Sequence, residues 1–199
     1  MSDKRKLVLF DFDGTLTYKD TMIPFMRYAL GDLRFTIALA RALPMLAARA
    51  FHLLSTQRAK QALFSACFRG MKYSVFCNTA EAFAEVYKKE NILRREMYDR
   101  LLAALADDRT DVAIVSASMQ EWIEPIIRPA APLIISTRPA VDDRGCLTGR
   151  FATPNCKGAE KVRRIREIFD LSRYDITAFG DSAGDTEMLA LANIPFFCK

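Results

Sequence analysis

Two aspartates stand two residues apart at the end of the apolar run Leu7-Val8-Leu9-Phe10, in the string Asp11-Phe12-Asp13-Gly14-Thr15-Leu16-Thr17. In an extended segment, side chains at i and i+2 point the same way, so Asp11 and Asp13 converge on one site. Two further acids, Asp181 and Asp185, follow the run Ile176-Thr177-Ala178-Phe179. Ser116 closes a third run, Val112-Ala113-Ile114-Val115, where a hydroxyl facing the free N–H groups of a following helix makes a phosphate site. Lys161 falls in the first turn of a helix beginning after Gly158. A cation there opposes the helix dipole, so something negative is expected beside it. Each feature taken singly also has a plain structural use: a solvated turn for the acids, capping for Ser116, a surface position for Lys161. Together, acids, a hydroxyl and a lysine at strand tips and helix starts suit phosphate chemistry.

Such a site needs strands that end side by side. The run 7–10 is unbroken rather than alternating, as expected of a central parallel strand covered on both faces. Gly14 permits a tight turn, and open α/β sheets hold ligands outside the carboxyl ends of their strands. Further strands are expected at 112–115, 132–136, 175–179 and 194–198. Between them come a helix opened by the capping box Ser118-Met119-Gln120-Glu121, a helix over 159–169 with Val162, Ile165 and Phe169 facing the core, and a helix over 186–192. A hairpin is expected around Asp142-Asp143-Arg144-Gly145. Strands alternating with helices imply an α/β fold with a Rossmann-like, doubly wound parallel sheet.

Between the first two strands, residues 18–107 read as a helical insertion. Asp20-Thr21 offers an N-cap and Gly31 closes that helix. Asp32 caps the next, Pro44 interrupts it, and Ser55-Thr56 opens another that Gly70 ends. Asn78-Thr79-Ala80-Glu81 reads as a capping box, and Leu93, Met97, Leu101 and Leu105 share one apolar face. Arg27, Arg34 and Arg41 fall on one face of a helix continuous through Gly31. That face reads as a solvated surface or as a basic amphipathic surface for anionic lipid or an acidic substrate. No charge-free run approaches the ~20 residues needed to span a bilayer.

The chain has 199 residues, 51% of them hydrophobic, enough for a real core, and its net charge of +5 favours acidic partners. No basic run with interleaved aromatics points to nucleic acid. Cys67, Cys77, Cys146, Cys156 and Cys198 are scattered, which argues against a disulfide framework or zinc site and for reduced thiols. The apolar run before Asp11 is too short for a signal peptide, so the expected compartment is the cytoplasm. His52 is the single histidine, which removes Ser-His-Asp, Cys-His and multi-histidine metal sites.

In order along the chain, Asp11/Asp13, Ser116, Lys161 and Asp181/Asp185 resemble the four motifs of the haloacid dehalogenase superfamily, in its phosphatase branch. The insertion after the first motif resembles the helical C1 cap of phosphoserine-phosphatase-like members. The resemblance implies a catalytic core of residues 1–17 and 108–199 with a cap of residues 18–107. It implies Asp11 as nucleophile, forming an aspartyl-phosphate, and Asp13 as the acid that protonates the leaving group and then activates water. It implies Mg²⁺ held by Asp11, the Asp13 backbone carbonyl and Asp181, with Asp185 holding metal-bound water or Lys161. Thr15 and Ser116 would bind phosphate oxygens and Lys161 would neutralise charge. Asp13 favours phosphate chemistry over dehalogenation. In Cys156-Lys157-Gly158-Ala159-Glu160-Lys161 the catalytic lysine is Lys161 or Lys157, and the spacing of Lys161 to Ile165 favours Lys161.

The resemblance further implies a small soluble phosphate ester as substrate. Asp20 stands where phosphoserine phosphatases carry an acid for the substrate amino group. No arginine falls at 62–65, where their carboxylate clamp is expected, and Arg69 is the nearest. Arg27 and Arg69 therefore join Asp20 as candidate specificity residues. Residues 156–162 and the arginine-studded insertion also resemble the bacterial phosphatidylglycerophosphate phosphatase of the same superfamily. That makes a lipid phosphate, met at a membrane surface through the basic cap, the alternative. A non-catalytic phospho-receiver or scaffold is disfavoured by Asp13 and by the cap.

Overall fold

The computed structural model describes residues 4–51, 53 and 55–198; His52 lies outside them. Strands β1 (Arg5–Phe10), β2 (Thr110–Met119), β3 (Leu133–Thr137), β6 (Tyr174–Gly180) and β7 (Ile194–Phe197) form one sheet, in the order β3-β2-β1-β6-β7. Every pairing in it is parallel. The central place of β1 accounts for its unbroken apolar run. Leu7 and Leu9 pack with Ala113, Val115, Ile176 and Ala178 on one face, under Ile165 and Met188. These last two come from α6 (Ala159–Ile168) and α7 (Thr186–Leu189). Phe10 points to the other face, among Ile114, Phe179 and Trp122. Both halves of the period-two pattern are therefore buried.

Four helices fill the chain between β1 and β2: α1 (Met22–Ala50), α2 (Thr56–Phe68), α3 (Tyr73–Lys89) and α4 (Arg95–Leu105). An aromatic cluster ties α1, α2 and α3 to α5 (Gln120–Ile127), which follows β2. Phe25 stacks on Trp122 at 4.7 Å between ring centroids and meets Phe76 and Phe83 edge-on at 5.3 Å. Ser55 caps α2 by accepting from the Arg58 N–H, and Met97 and Leu101 form the buried stripe of α4.

Several local expectations are corrected here. At Gly31, φ is +74°, which breaks the helical path of α1. Arg27 lies before that break, with its guanidinium on Asp32 Oδ1 at 2.9 Å, so it shares no stripe with Arg34 and Arg41. Pro44 does not interrupt α1, which continues to Ala50. Asn78–Glu81 is no helix start, because α3 is already running and the Thr79 hydroxyl donates back to the Val75 carbonyl at 2.7 Å. The expected hairpin forms as β4 (Pro139–Val141) and β5 (Leu147–Phe151) but stands apart from the main sheet. It attaches instead to the α2–α3 turn, through Gly70 N–H to Leu147 C=O and Leu147 N–H to Met71 C=O, both 2.8 Å. Among the described residues, no helix is long and apolar enough to cross a membrane.

Candidate active site

The sheet register builds the site. Phe10 of β1 lies level with Ile114 of β2 and Phe179 of β6. The residues just beyond these three, Asp11, Ser116 and Asp181, therefore emerge along one edge of the sheet. The Asp11 N–H still bonds the Phe179 carbonyl at 2.8 Å, so the acid is held at the strand tip. The chain then turns sharply through 12–16, with Gly14 at φ +80° and the Thr17 N–H closing on the Phe12 carbonyl at 3.0 Å. A Cβ on Gly14 would stand 2.1 Å from Asp181 Oδ2, so the turn and the second acidic loop are in direct contact.

Asp11, Lys161 and Asp185 form a buried triad. Lys161 is 2% exposed, and its ammonium donates to Asp11 Oδ1 and Asp185 Oδ1, each at 2.6 Å. Asp185 Oδ2 in turn accepts from the Ser182 N–H and hydroxyl at 3.1 and 2.9 Å. Burial alone would lower the Lys161 pKa, but the two carboxylates outweigh it and hold the ammonium charged. Burial pushes the Asp11 carboxyl up to about 7 against the pull of Lys161. Asp181 is also raised, first by burial and then by the nearby Asp185 charge.

Asp13 is held by a different set of groups. Its Oδ1 accepts from the Thr21 N–H at 2.7 Å and the Thr21 hydroxyl at 2.6 Å, and its Oδ2 accepts from the Ser118 hydroxyl. Trp122 Nε1–H donates to the Thr21 hydroxyl at 3.0 Å, fixing it from behind. Burial raises the Asp13 pKa, helped by Asp20 and opposed by these donors.

Asp11, Asp13, Asp20, Ser116, Lys161, Asp181 and Asp185 line one pocket of about 300 Å³, together with Lys157. Ser116 is buried and its Oγ accepts from the Ser118 N–H at 3.0 Å. Lys161, not Lys157, reaches the Asp11 carboxylate. Three predicted residues lie elsewhere. Thr15 is carried into the core beside Leu16 by the turn, and its hydroxyl has no hydrogen-bond partner among the described residues. Arg27 is on the surface with Asp32, and Arg69 is exposed at the C-cap of α2.

Sequence reasoning missed Thr21 and Ser118 as Asp13 partners, having read both as helix caps; the α5 N-cap is Met119. It also missed Lys60, which reaches from α2 to donate to the Ala117 carbonyl at 2.6 Å and lines the pocket. The donor set fits a hard divalent cation. Carboxylate oxygens of Asp11, Asp181 and Asp185 lie within 4.8 Å of one another and the Lys161 ammonium bonds two of these acids, so the three carboxylates outnumber the one lysine among them.

A family model for haloacid dehalogenase-like hydrolases matches residues 8–190. The chain belongs to this hydrolase family. It is 34% identical over 194 residues to protein CicA of Caulobacter vibrioides, covering 97% of this chain and 86% of CicA. A protein of unknown function from Bordetella pertussis Tohama I shares the fold at a TM-score of 0.75 and 22% identity, over 98% of this chain and 90% of that one. A phosphoserine phosphatase solved as an analogue of its phospho-aspartyl intermediate shares it at a TM-score of 0.55 and 21% identity, over 98% of this chain and 87% of that one. The hydrolase thus has the α/β sheet of its family, with the pocket at the tips of its strands.

Proposed function

We propose that this hydrolase is a Mg²⁺-dependent phosphomonoesterase that works through an aspartyl-phosphate on Asp11. In this reading residues 1–17 and 108–199 are the catalytic core and residues 18–107 are the cap over it. The observation that carries it is the separation of the two aspartates' partners. Asp11 is paired with a cation and Asp13 with neutral hydroxyl and amide donors.

Lys161 holds Asp11 Oδ1, which leaves Oδ2 to attack phosphorus in line. The P–O bond to the alcohol breaks, and Asp13, its pKa raised by burial, gives the leaving oxygen its proton. Asp13 then takes a proton from water, which attacks the aspartyl-phosphate, releases phosphate and restores Asp11. Ser116 and Lys161 hydrogen-bond the phosphoryl oxygens as charge moves onto them. Asp11 and Asp181, with Asp185 beside them, would hold Mg²⁺, whose charge when bound offsets the repulsion between a carboxylate and a phosphate dianion. The substrate is a small phosphorylated organic molecule, its alcohol facing Asp20 and Lys60. Five free thiols suit a reducing compartment, the cytoplasm.

Turnover of p-nitrophenyl phosphate with Mg²⁺ and acid trapping of labelled protein test this reading. The wild type should turn over and label, and Asp11→Asn should do neither. Turnover by Asp11→Asn at the wild-type rate would refute it.

A further inference from the structure

The pocket over Asp11 does not end at the phosphate site. At Asp20, Lys60, Ala117 and Lys157 it runs on into a second cavity of about 440 Å³ between α1 and α2. Past that neck the walls change character. Met22, Ile23, Leu39 and Leu46 come from α1, and Ala59 and Leu63 from α2. Leu39 and Leu46 lie seven apart and Ala59 and Leu63 four apart, so each pair presents one face of its helix to the groove. Ala59 and Leu63 are buried, while Leu39 and Leu46 are half-buried and Ile23 is more open still. At the far end the Arg49 Nε–H donates to the Thr56 hydroxyl at 2.9 Å, and Asn155 adds a polar side chain to the wall beside Lys157.

A leucine-lined trough leading from a site lined by twelve charged or hydroxyl side chains divides a ligand into two parts. Phosphate belongs at the polar end, and the alcohol it esterifies must pass the neck. A polar alcohol would lose water there against leucine side chains, with Asn155 and the Arg49–Thr56 pair the polar groups past the neck, whereas an alkyl chain would cover apolar surface that otherwise faces water. We propose that the groove takes the organic half of the substrate, and that the substrate class is alkyl phosphomonoesters. The inference rests on the phosphatase reading for the position of the phosphate. Leu39 to Leu46 span about 10 Å of helix axis, which an extended chain of about eight carbons covers. The outer face of the same helix exposes Leu33, Ile37 and Leu43 beside Arg34 and Arg41, a surface suited to taking such a chain from an anionic bilayer.

Calorimetric titration of n-alkylphosphonates, whose C–P bond is not hydrolysed, into the Mg²⁺-loaded protein tests the groove without turnover. Affinity should rise roughly two- to fourfold per methylene up to about eight carbons and then level off. Equal binding of ethyl- and octylphosphonate, within about twofold, would overturn the proposal. Leu46→Gln should cut the octyl-over-ethyl preference about tenfold; an equal loss on both ligands would mean a structural role and would also overturn it. A protein that binds octylphosphonate tightly yet hydrolyses no ester keeps the groove and refutes the phosphatase reading. One that hydrolyses ethyl and octyl phosphate alike and binds both phosphonates alike does the reverse. Turnover of dispersed octyl phosphate alone assigns the groove to soluble amphiphiles, and turnover of phosphatidic acid in phosphatidylcholine vesicles assigns it to membrane lipid.

Discussion

Removing the Lys161 ammonium should both disable and destabilise the protein, and the second effect separates it from Lys157. Lys161 is 2% exposed and lies 2.6 Å from each of two carboxylates that are themselves almost inaccessible. Lys161→Met preserves much of the side-chain volume but leaves Asp11 and Asp185 facing each other without a cation. Breaking a buried pair in this way costs about 3–5 kcal/mol. For a chain of this length each kcal/mol lowers the melting temperature by about 2–4 °C, so a fall on the order of 10 °C is expected. Lys157 is exposed, and Lys157→Met should stay within about 0.5 kcal/mol of wild type. Thermal melts in EDTA read both variants, and turnover in Mg²⁺ reads their activity. Adding Mg²⁺ should recover part of the lost stability of Lys161→Met, because a cation bound only by the folded state replaces the missing positive charge. A Lys161→Met protein melting within about 2 °C of wild type, or a Lys157→Met protein falling as far, would refute the reasoning.

Three further outcomes follow from the same geometry. Asp13→Asn should lower kcat on alkyl phosphates by roughly 10²- to 10⁴-fold. With p-nitrophenyl phosphate, whose leaving group needs no proton, rapid quench should show the phosphoenzyme accumulating; its absence would count against Asp13 in the hydrolytic step. Gly14→Ala places a methyl group against Asp181 Oδ2 at a φ of +80°. It should weaken Mg²⁺ activation by roughly 10- to 100-fold, and an unchanged Mg²⁺ titration would argue that Asp181 is not a ligand. Asp11 has its pKa pushed up from 3.8 to about 7 by burial, so the folded protein binds protons more readily there than the unfolded chain. Its contribution to stability is therefore greatest below pH 4 and is lost as pH rises through 7. In EDTA, the melting temperature of wild type relative to Asp11→Asn should fall across that window, and a constant difference would contradict the assignment.

The parts of this protein legible in its sequence are those decided within a few residues. The run 7–10 had to be a doubly covered strand because every residue in it is apolar. Asp11 falls at a strand tip because the apolar run ends there, with Asp13 following in the turn through 12–16 that Gly14 permits, and Ser55 caps α2 because its oxygen reaches an N–H three residues on. The four chemical signals were readable because each sits at an element boundary that the sequence marks.

Tertiary structure decided the choices for which local rules offer several answers. Ser118 and Thr21 carry hydroxyls that could cap a helix or reach across the fold, and only the packing of α1 and α5 around Trp122 turns both onto Asp13. Lys157 and Lys161 stand four residues apart, Lys157 before α6 and Lys161 within it; the seating of α6 against the sheet puts the Lys161 ammonium between two acids and leaves Lys157 exposed on the pocket wall. The break at Gly31 and the Arg27–Asp32 pair dissolve an arginine stripe that even spacing suggested. Lys60 and the leucine groove have no motif at all, since they arise where two helices remote from the strand tips meet the pocket. Strand ends and caps are set by the hydrogen bonds and sterics of neighbouring residues. Which buried charge meets which, and which apolar wall faces the substrate, depends on how whole elements pack.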